Sequence, residues 1–507
     1  MTPATVSPAR PFLLRAHPHL YEINTWAWLE KLSAKFGRTI TLAEVPDGEW
    51  DSLQRLGFDI VWLMGVWRRS PRARQIALAN AGTPGGAAQY DGALPGWHPE
   101  DIVASPYAVA EYVPDPHVGT WHSLDAVRAK LHARGMALFL DFVGNHTALD
   151  HRWTREHPEF YVNGTAEDFQ RDPASFCRVE TPRRVFYLAL GRDPYFPPWS
   201  DVAQLNHFSM QMRAAQLAEL RTIAEHCDGV RCDMAMLHLN DIFGRIWNHL
   251  LRGAAAPADE FWARAHAAVP GLVLLAEAYW GTEQRLLDLG FSYVYDKGLY
   301  DAVRAQNMPE VHARLAAPAA YQNRLARFLE NHDEERCARV FGRERRTSVA
   351  SLMGTLPGMR FYHQGELDGA TVHLPITLRM AADEPVDTAA TSFFAKLLRI
   401  TKDAVFHGGI WNLLPVTVEG DDTAGNLVAY EWRSEKSWKV IAINLAGGAS
   451  QGRVHFGAGR AWPAKEYVFY DELHDVRYLR GAEELGGVGL FVRRQGFDAH
   501  LFQVTPG

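Results

Sequence analysis

The chain has little that would tie it to a membrane, a nucleic acid or an oxidising compartment. No stretch of its 507 residues approaches the roughly 18 consecutive apolar residues that a membrane-spanning helix needs. The first twenty residues hold only the short run PFLL, so neither a secretory signal nor an anchor is expected. Cysteine is scarce. Cys177, Cys227, Cys232 and Cys337 show no CxxC pattern, and the expectation is reduced, buried thiols in a cytoplasmic protein. Long basic blocks are also missing: with a net charge of −7 and interspersed signs, the sequence offers no electrostatic footprint for nucleic acid or an anionic membrane. Low-complexity segments and short repeats are absent too. A small neutral or polar substrate is the partner class that remains, and the sequence does not fix an oligomeric state.

What is present is a 47% hydrophobic composition, enough for a large core, arranged as short apolar runs alternating with longer helix-like stretches. Eight runs read as strands, at residues 19–26, 58–64, 136–143, 227–234, 272–279, 291–296, 324–331 and 358–365. Between the second and third of these runs, SLDAVRAKLHARG (123–135) carries apolar residues at helical spacing and stops at a glycine. The predicted class is therefore α/β, a (β/α)8 TIM barrel. From Asp141 to Asp233 is 92 positions for one repeat unit, whereas Asp233 to Glu277 is 44 and Glu277 to Asp333 is 56 for two. A plain unit of roughly 30 residues leaves an excess after the third strand. This predicts a small inserted domain over 147–206, carrying aromatic, turn-rich stretches that are not helical, with the barrel formed by 1–146 and 207–404. After residue 405 the texture changes to short strand-like runs between polar turns, which predicts a C-terminal all-β sandwich over 405–507.

Four of the apolar runs stop at a carboxylate: LFLDFVGNH, GVRCDMA, VLLAEAYW and FLENHDEE. In a parallel barrel the C-terminal strand ends form the catalytic rim, so these runs deliver Asp141, Asp233, Glu277 and Asp333 to one place. Cleaving an acetal needs one carboxyl group to protonate the leaving oxygen and another to trap the cationic centre. Asp233 and Glu277, on neighbouring strands, fit that pair. Arg231 lies on the same strand face as Asp233 and would hold it ionised, while the apolar surroundings of Glu277 would keep it protonated.

These segments resemble the α-amylase superfamily, glycoside hydrolase family 13. Its DxxxNH region stands here as Asp141, Asn145 and His146, its GxRxD region as Gly229, Arg231 and Asp233, its third region at Glu277, and its NHD region as Asn331, His332 and Asp333. The resemblance covers about residues 20–400. It implies a retaining mechanism with Asp233 as nucleophile, Glu277 as acid and then base, and Asp333 with His332 gripping sugar hydroxyls. It further implies that His146 binds a hydroxyl, Tyr107 stacks on the ring, Arg231 orients Asp233, and Asp141, Asn145 and Asn331 support the site. Retention requires the two carboxyl groups about 5 to 5.5 Å apart.

The match departs at three points. Met236 and Leu237 stand where typical α-amylases carry a Lys and His pair on the leaving-group side, and Met234 matches neither common α-1,4 nor α-1,6 residue. The DxDxDG calcium loop of some relatives is missing near the first strand; no cofactor is required and calcium is not predicted. The leading expectation is a hydrolase of α-1,4-linked malto-oligosaccharides. A glucanotransferase, a sucrose- or trehalose-handling enzyme or a phosphorylase with the same intermediate is the alternative, and a non-catalytic scaffold a remote one. Exclusion of water at the acceptor side decides between hydrolysis and transfer, with Trp67, Trp97, Trp153, Trp199 and Trp280 as candidate walls.

Overall fold

The computed structural model describes residues 12–182, 184–457 and 459–507. Residues 1–11, where the expectations about a leader and the start of the barrel partly fall, lie outside the described residues.

Eight parallel strands close a barrel: β1 (His19–Asn24), β2 (Ile60–Met64), β3 (Ala137–Phe142), β4 (Gly229–Cys232), β5 (Val273–Ala276), β6 (Tyr293–Tyr295), β7 (Leu325–Arg327) and β8 (Met359–His363). Each lies within one of the eight predicted runs. They neighbour one another in chain order, and closure comes from β1 pairing with both β8 (His19 opposite Arg360) and β2 (Leu20 opposite Ile60). Every residue of β2 and β3 is buried, because helices cover one face of each strand and the barrel interior takes the other. The helix Trp121–His132 shows how that cover forms. Thr120 caps its N-terminus on the Ser123 N–H, and its buried Leu124, Val127 and Leu131 make one stripe facing the barrel. Each such residue contributes about 1.5–3 kcal/mol by leaving water.

Three appendages sit on this frame. Between β3 and β4, His146–Ala148 pairs antiparallel with Val202–Gln204, and Asn163–Gly164, Val185–Ala189 and Phe176–Glu180 form a second small sheet. Trp153, Phe160, Tyr161, Leu188 and Leu205 fill its core. Two short helices, Trp153–Glu156 and Ala166–Arg171, lie beside its aromatic, turn-rich stretches, the second nucleated by a reciprocal Thr165–Asp168 cap.

A second excursion, between β2 and β3, was not anticipated. Trp67–Arg69 pairs with Val109–Pro114, and two helices, Pro71–Ala81 and Pro84–Ala93, start from Ser70 and Thr83 caps with proline in the first turn. It is held down by the segment after β8, where Leu378 packs on Tyr90 and Ile102 and Arg379 Nε donates to Asp101 Oδ1 at 2.8 Å.

The C-terminal region has a six-stranded sheet running from Ile410–Leu414 to Val476–Gly481 and a three-stranded sheet of Val416–Thr417, Ser450–Val454 and Leu490–Arg494. Val440, Phe469 and Phe502 meet Val454 and Leu490 between them, which makes it an all-β sandwich. All four cysteines are unpaired; three are buried and Cys177 is partly exposed. Among the described residues, no helix is long and apolar enough to cross a membrane.

Candidate active site

The carboxylates converge at the C-terminal rim because the barrel ladder runs on past the assigned strand ends. The Asp233 N–H donates to Phe142 O and the Glu277 N–H to Cys232 O, both at 3.0 Å, so each residue is pinned one step beyond its strand. Met234, between them, takes a left-handed conformation (φ 42°), which aims its N–H at Glu277 Oε2 at 2.6 Å. A bulky residue in that region is a strained one, and such strain gathers at functional sites.

One guanidinium organises the group. Arg231, fully buried, meets Asp233 Oδ1 through Nη1 at 2.7 Å and Glu277 Oε2 through Nη2 at 2.8 Å, with Asp333 Oδ2 at 3.8 Å. Tyr295 Oη lies 3.3 Å from its Nε, and the rings of Tyr107, Trp62 and Tyr295 surround it. The sequence reading assigned Arg231 to Asp233 alone and gave Glu277 an apolar pocket. Instead Glu277 is buried among polar groups, with Tyr279 Oη donating to its Oε1 at 2.7 Å. Its second oxygen is shared by Arg231 and the Met234 N–H.

Burial still dominates. It pushes the Glu277 carboxyl up to about 7, against the pull of Arg231. Burial also raises Asp233, opposed by Arg231, so the two carboxylates share one arginine rather than occupying opposite environments. Asp233 Oδ1 is held by Arg231, while its Oδ2 is buried and accepts no hydrogen bond from a described residue.

Beyond β7, Asn331 Oδ1 accepts the N–H groups of Asp333 and Glu334 at 2.9 Å each, which shapes the turn presenting His332 and Asp333. His332 Nε2 is 3.1 Å from Asp333 Oδ2 and 2.7 Å from Tyr107 Oη, and its Nδ1 is 2.5 Å from Glu22 Oε1. Although burial opposes it, Asp333 and Glu22 raise His332 well above its ordinary value, and that imidazolium in turn holds Asp333 below the usual carboxylate range. Tyr107 stacks on the His332 ring at 5.2 Å.

Asp141 lies beneath the rim. Its carboxylate accepts from Trp62 Nε1 at 3.2 Å and from the Gly65 N–H at 2.7 Å, and burial raises it to about 6. Gly65 sits at φ 79° with Pro106 only 2.8 Å from where a Cβ would stand, so the turn admits glycine alone. Gln204 Nε2 reaches Asn145 O at 2.9 Å and Asn145 Oδ1 at 3.0 Å, fastening the inserted domain to the rim. His146 meets the edge of Trp199 at 5.2 Å, and burial lowers it to about 4.

The ten candidate residues thus gather at the C-terminal end of the barrel through a connected set of contacts. Sequence reasoning missed Glu22, Tyr279, Tyr295 and Gln204. Glu22 carried a signal: a lone carboxylate in a strand buried on both faces, where charge is not left unpaired. Of the five candidate wall tryptophans, Trp67 and Trp153 are buried in the core, Trp97 packs on Tyr90, Trp199 meets His146 and Trp280 meets Tyr195. Among the described residues the one cluster suited to a metal is Asp471, His474 and His500 in the sandwich. There the Asp471 carboxylate already accepts two imidazole and two backbone N–H groups.

Residues 49–241 match the family model described as the α-amylase catalytic domain. α-Amylase MalA of Haloarcula japonica is 24% identical over 323 residues, 62% of this chain and 43% of that protein. α-Amylase 3 of Dictyoglomus thermophilum is 25% identical over 290 residues, 51% of this chain and 53% of its own length. The chain thus spans about half the length of these curated relatives. An α-amylase structure from Lactobacillus plantarum superposes with a TM-score of 0.66 at 20% identity, covering 96% of this chain and 98% of the other. With its barrel and inserted segments, the chain shares the fold of that solved α-amylase, and its residues 49–241 are similar to the α-amylase catalytic domain.

Proposed function

We propose that the protein is a retaining α-glycoside hydrolase that acts on α-1,4-linked glucose oligosaccharides through a covalent β-glycosyl-enzyme. The observation that carries the reading is the single Arg231 guanidinium touching both Asp233 and Glu277. It leaves Asp233 Oδ2 free to attack C1 while Glu277, at about 7, still holds the proton the leaving oxygen needs. Asp233 Oδ2 bonds to C1 as the glycosidic C1–O bond breaks, and Glu277 gives its proton to the departing oxygen. Glu277 then takes a proton from water as water oxygen displaces the ester. Asp333 and the charged His332 would grip hydroxyls of the same sugar ring, contacts that tighten as the ring flattens. Tyr107, His146 and Arg231 bind and orient; Asp141, Asn145 and Asn331 support them. Four unpaired cysteines accord with a cytoplasmic enzyme.

Maltoheptaose, sucrose, trehalose and isomaltose, each with and without phosphate, test the assignment by product chromatography. Shorter maltodextrins or glucose, released first as the α-anomer in proton NMR, are expected. Longer oligomers, isomerised disaccharides or sugar phosphate would move the chain to the transfer branch. Asp233→Asn and Glu277→Gln should each lower turnover by about 10³-fold or more without loss of fold. Near-normal activity in either ends the mechanism.

A further inference from the structure

A cavity of about 570 Å³ opens against the loop that carries Glu277, between that loop, the start of helix Asn240–Leu251 and the 192–196 segment of the inserted domain. Its wall includes Trp280, Gly281 and Thr282, which follow Glu277 by three to five residues on the same loop. The residues that hold the leaving-group side in typical α-amylases are replaced by Met236 and Leu237, which are buried at 0% and 2% exposure and offer nothing to a sugar.

The cavity wall supplies a different grip. Trp280, three residues beyond Glu277, is held at φ 62° and is 41% exposed; its indole meets the edge of Tyr195, itself 69% exposed, at 5.3 Å. Asp193 Oδ1 accepts the Tyr195 and Phe196 N–H groups at 2.6 and 2.9 Å, and this turn presents the tyrosine to the cavity. Two exposed aromatic rings, one on a strained turn and one on the Asp193 turn facing it, form a stacking wall for a sugar.

Charge is the unusual part. Arg192, Arg245 and Arg285 line the cavity, with Asp241 their one lining carboxylate, in a protein whose net charge is −7. Arg285 is consumed by Asp241 at 2.6 Å and Glu260 at 2.5 Å. Arg245 reaches Asp241 only at 3.5 Å from a side chain that is 75% exposed, an arrangement worth little in water. Arg192 is half-buried and pairs with no carboxylate among the described residues. Two guanidiniums are therefore left to face the cavity, and guanidinium is the group that binds phosphate and carboxylate in a fork.

We propose that this cavity is a leaving-group and acceptor subsite for a sugar bearing an anionic group, phosphate or carboxylate, gripped by Arg192 and Arg245 and stacked on Trp280 and Tyr195. The inference rests on Asp233 and Glu277 being the catalytic pair. In transfer, an acceptor hydroxyl oxygen bonds to C1 as the C1–Oδ2 ester bond to Asp233 breaks, and the Glu277 carboxylate takes the hydroxyl proton.

α-Glucosyl fluoride separates the two claims, because fluoride leaves without a proton and without filling the cavity. Fluoride release by the intact protein, abolished in Asp233→Asn, reads the catalytic pair; its absence overturns that reading and this inference with it. Glucose, glucose 6-phosphate and glucuronate are then offered as acceptors, with products followed by mass spectrometry. The expected result is transfer that half-saturates at a concentration at least tenfold lower for an anionic acceptor than for glucose. That advantage should fall toward unity in Arg192→Gln with Arg245→Gln and at high salt. Preference for glucose 6-phosphate identifies a phosphate ligand, and preference for glucuronate a carboxylate. Fluoride release with glucose used as well as either anion, or an anionic preference that survives both substitutions, overturns the subsite while leaving the catalytic pair intact. Melting curves of the variants report whether the fold is kept.

Discussion

A buried arginine that must serve two carboxylates cannot fully stabilise both, and Glu277 retains the cost. Its carboxyl stands near 7 in the folded chain against an ordinary 4.5, so between those values the folded state binds more protons than the unfolded one. Stability that Glu277 contributes below pH 4.5 is therefore lost as pH rises to about 7. Glu277→Gln has no such proton to lose. Its melting temperature relative to the parent should climb between pH 4.5 and 8, by an amount worth a few kcal/mol. A difference flat with pH would show that the proton resides elsewhere. Turnover should fall over the alkaline half of the same range, as the donor proton is lost. The clustering of Asp141, Arg231, Asp233, Glu277 and Asp333 was legible because each ends or sits in an apolar run. Their hydrogen bonds were not: Glu22 and Tyr295 come from other strands with no shared spacing, and Tyr279, two residues beyond Glu277, reads in sequence as part of an apolar surrounding.

At the scale of the element, β4 must lie close enough to β3 for one ladder to carry both Asp141 and Asp233, and Gly229 permits it. A Cβ at Gly229 would run into the Phe139 ring, which lies opposite it in the register. Gly229→Ala should cost about 1–3 kcal/mol by overpacking. It should also lower turnover by shifting Arg231 and Asp233. Combining it with Phe139→Leu removes the clash, so the double variant should be less destabilised than the two single costs added, as measured by denaturant unfolding. Strict additivity would mean that the two residues do not meet. The eight strands could be read from sequence because burial on both faces leaves short, nearly unbroken apolar runs. The excursion between β2 and β3 could not. Its helices PRARQIALANA and PGGAAQYDGA bury mainly alanine, and the second carries three glycines, so neither shows a strong apolar stripe. Likewise the two short helices of the inserted domain are specified by caps and tertiary packing rather than by periodicity.

For the whole molecule, the C-terminal sandwich shares a core with the barrel. Along Leu427–Arg433 the side chains alternate: Val428, Tyr430 and Trp432 join the barrel core, while Ala429 packs into the sandwich. That double duty explains why LVAYEW is buried throughout rather than alternating in exposure. Trp432, with no exposed surface, donates its Nε1–H to Thr355 O at 2.7 Å; Tyr430 Oη is 2.6 Å from the Thr355 hydroxyl. Arg360 of β8 lies under the same indole and donates to Phe406 O at 2.9 Å. A sheet that supplies one wall of the barrel core cannot unfold alone without exposing that wall, so the two units should melt in one calorimetric transition. Trp432→Ala should cost about 3–5 kcal/mol and split the transition in two, since it empties the shared layer while leaving each unit its own core. Two separate transitions in the unaltered chain would instead mean that the layer couples them weakly. In that case the sandwich is an appendage to the catalytic barrel rather than part of its foundation.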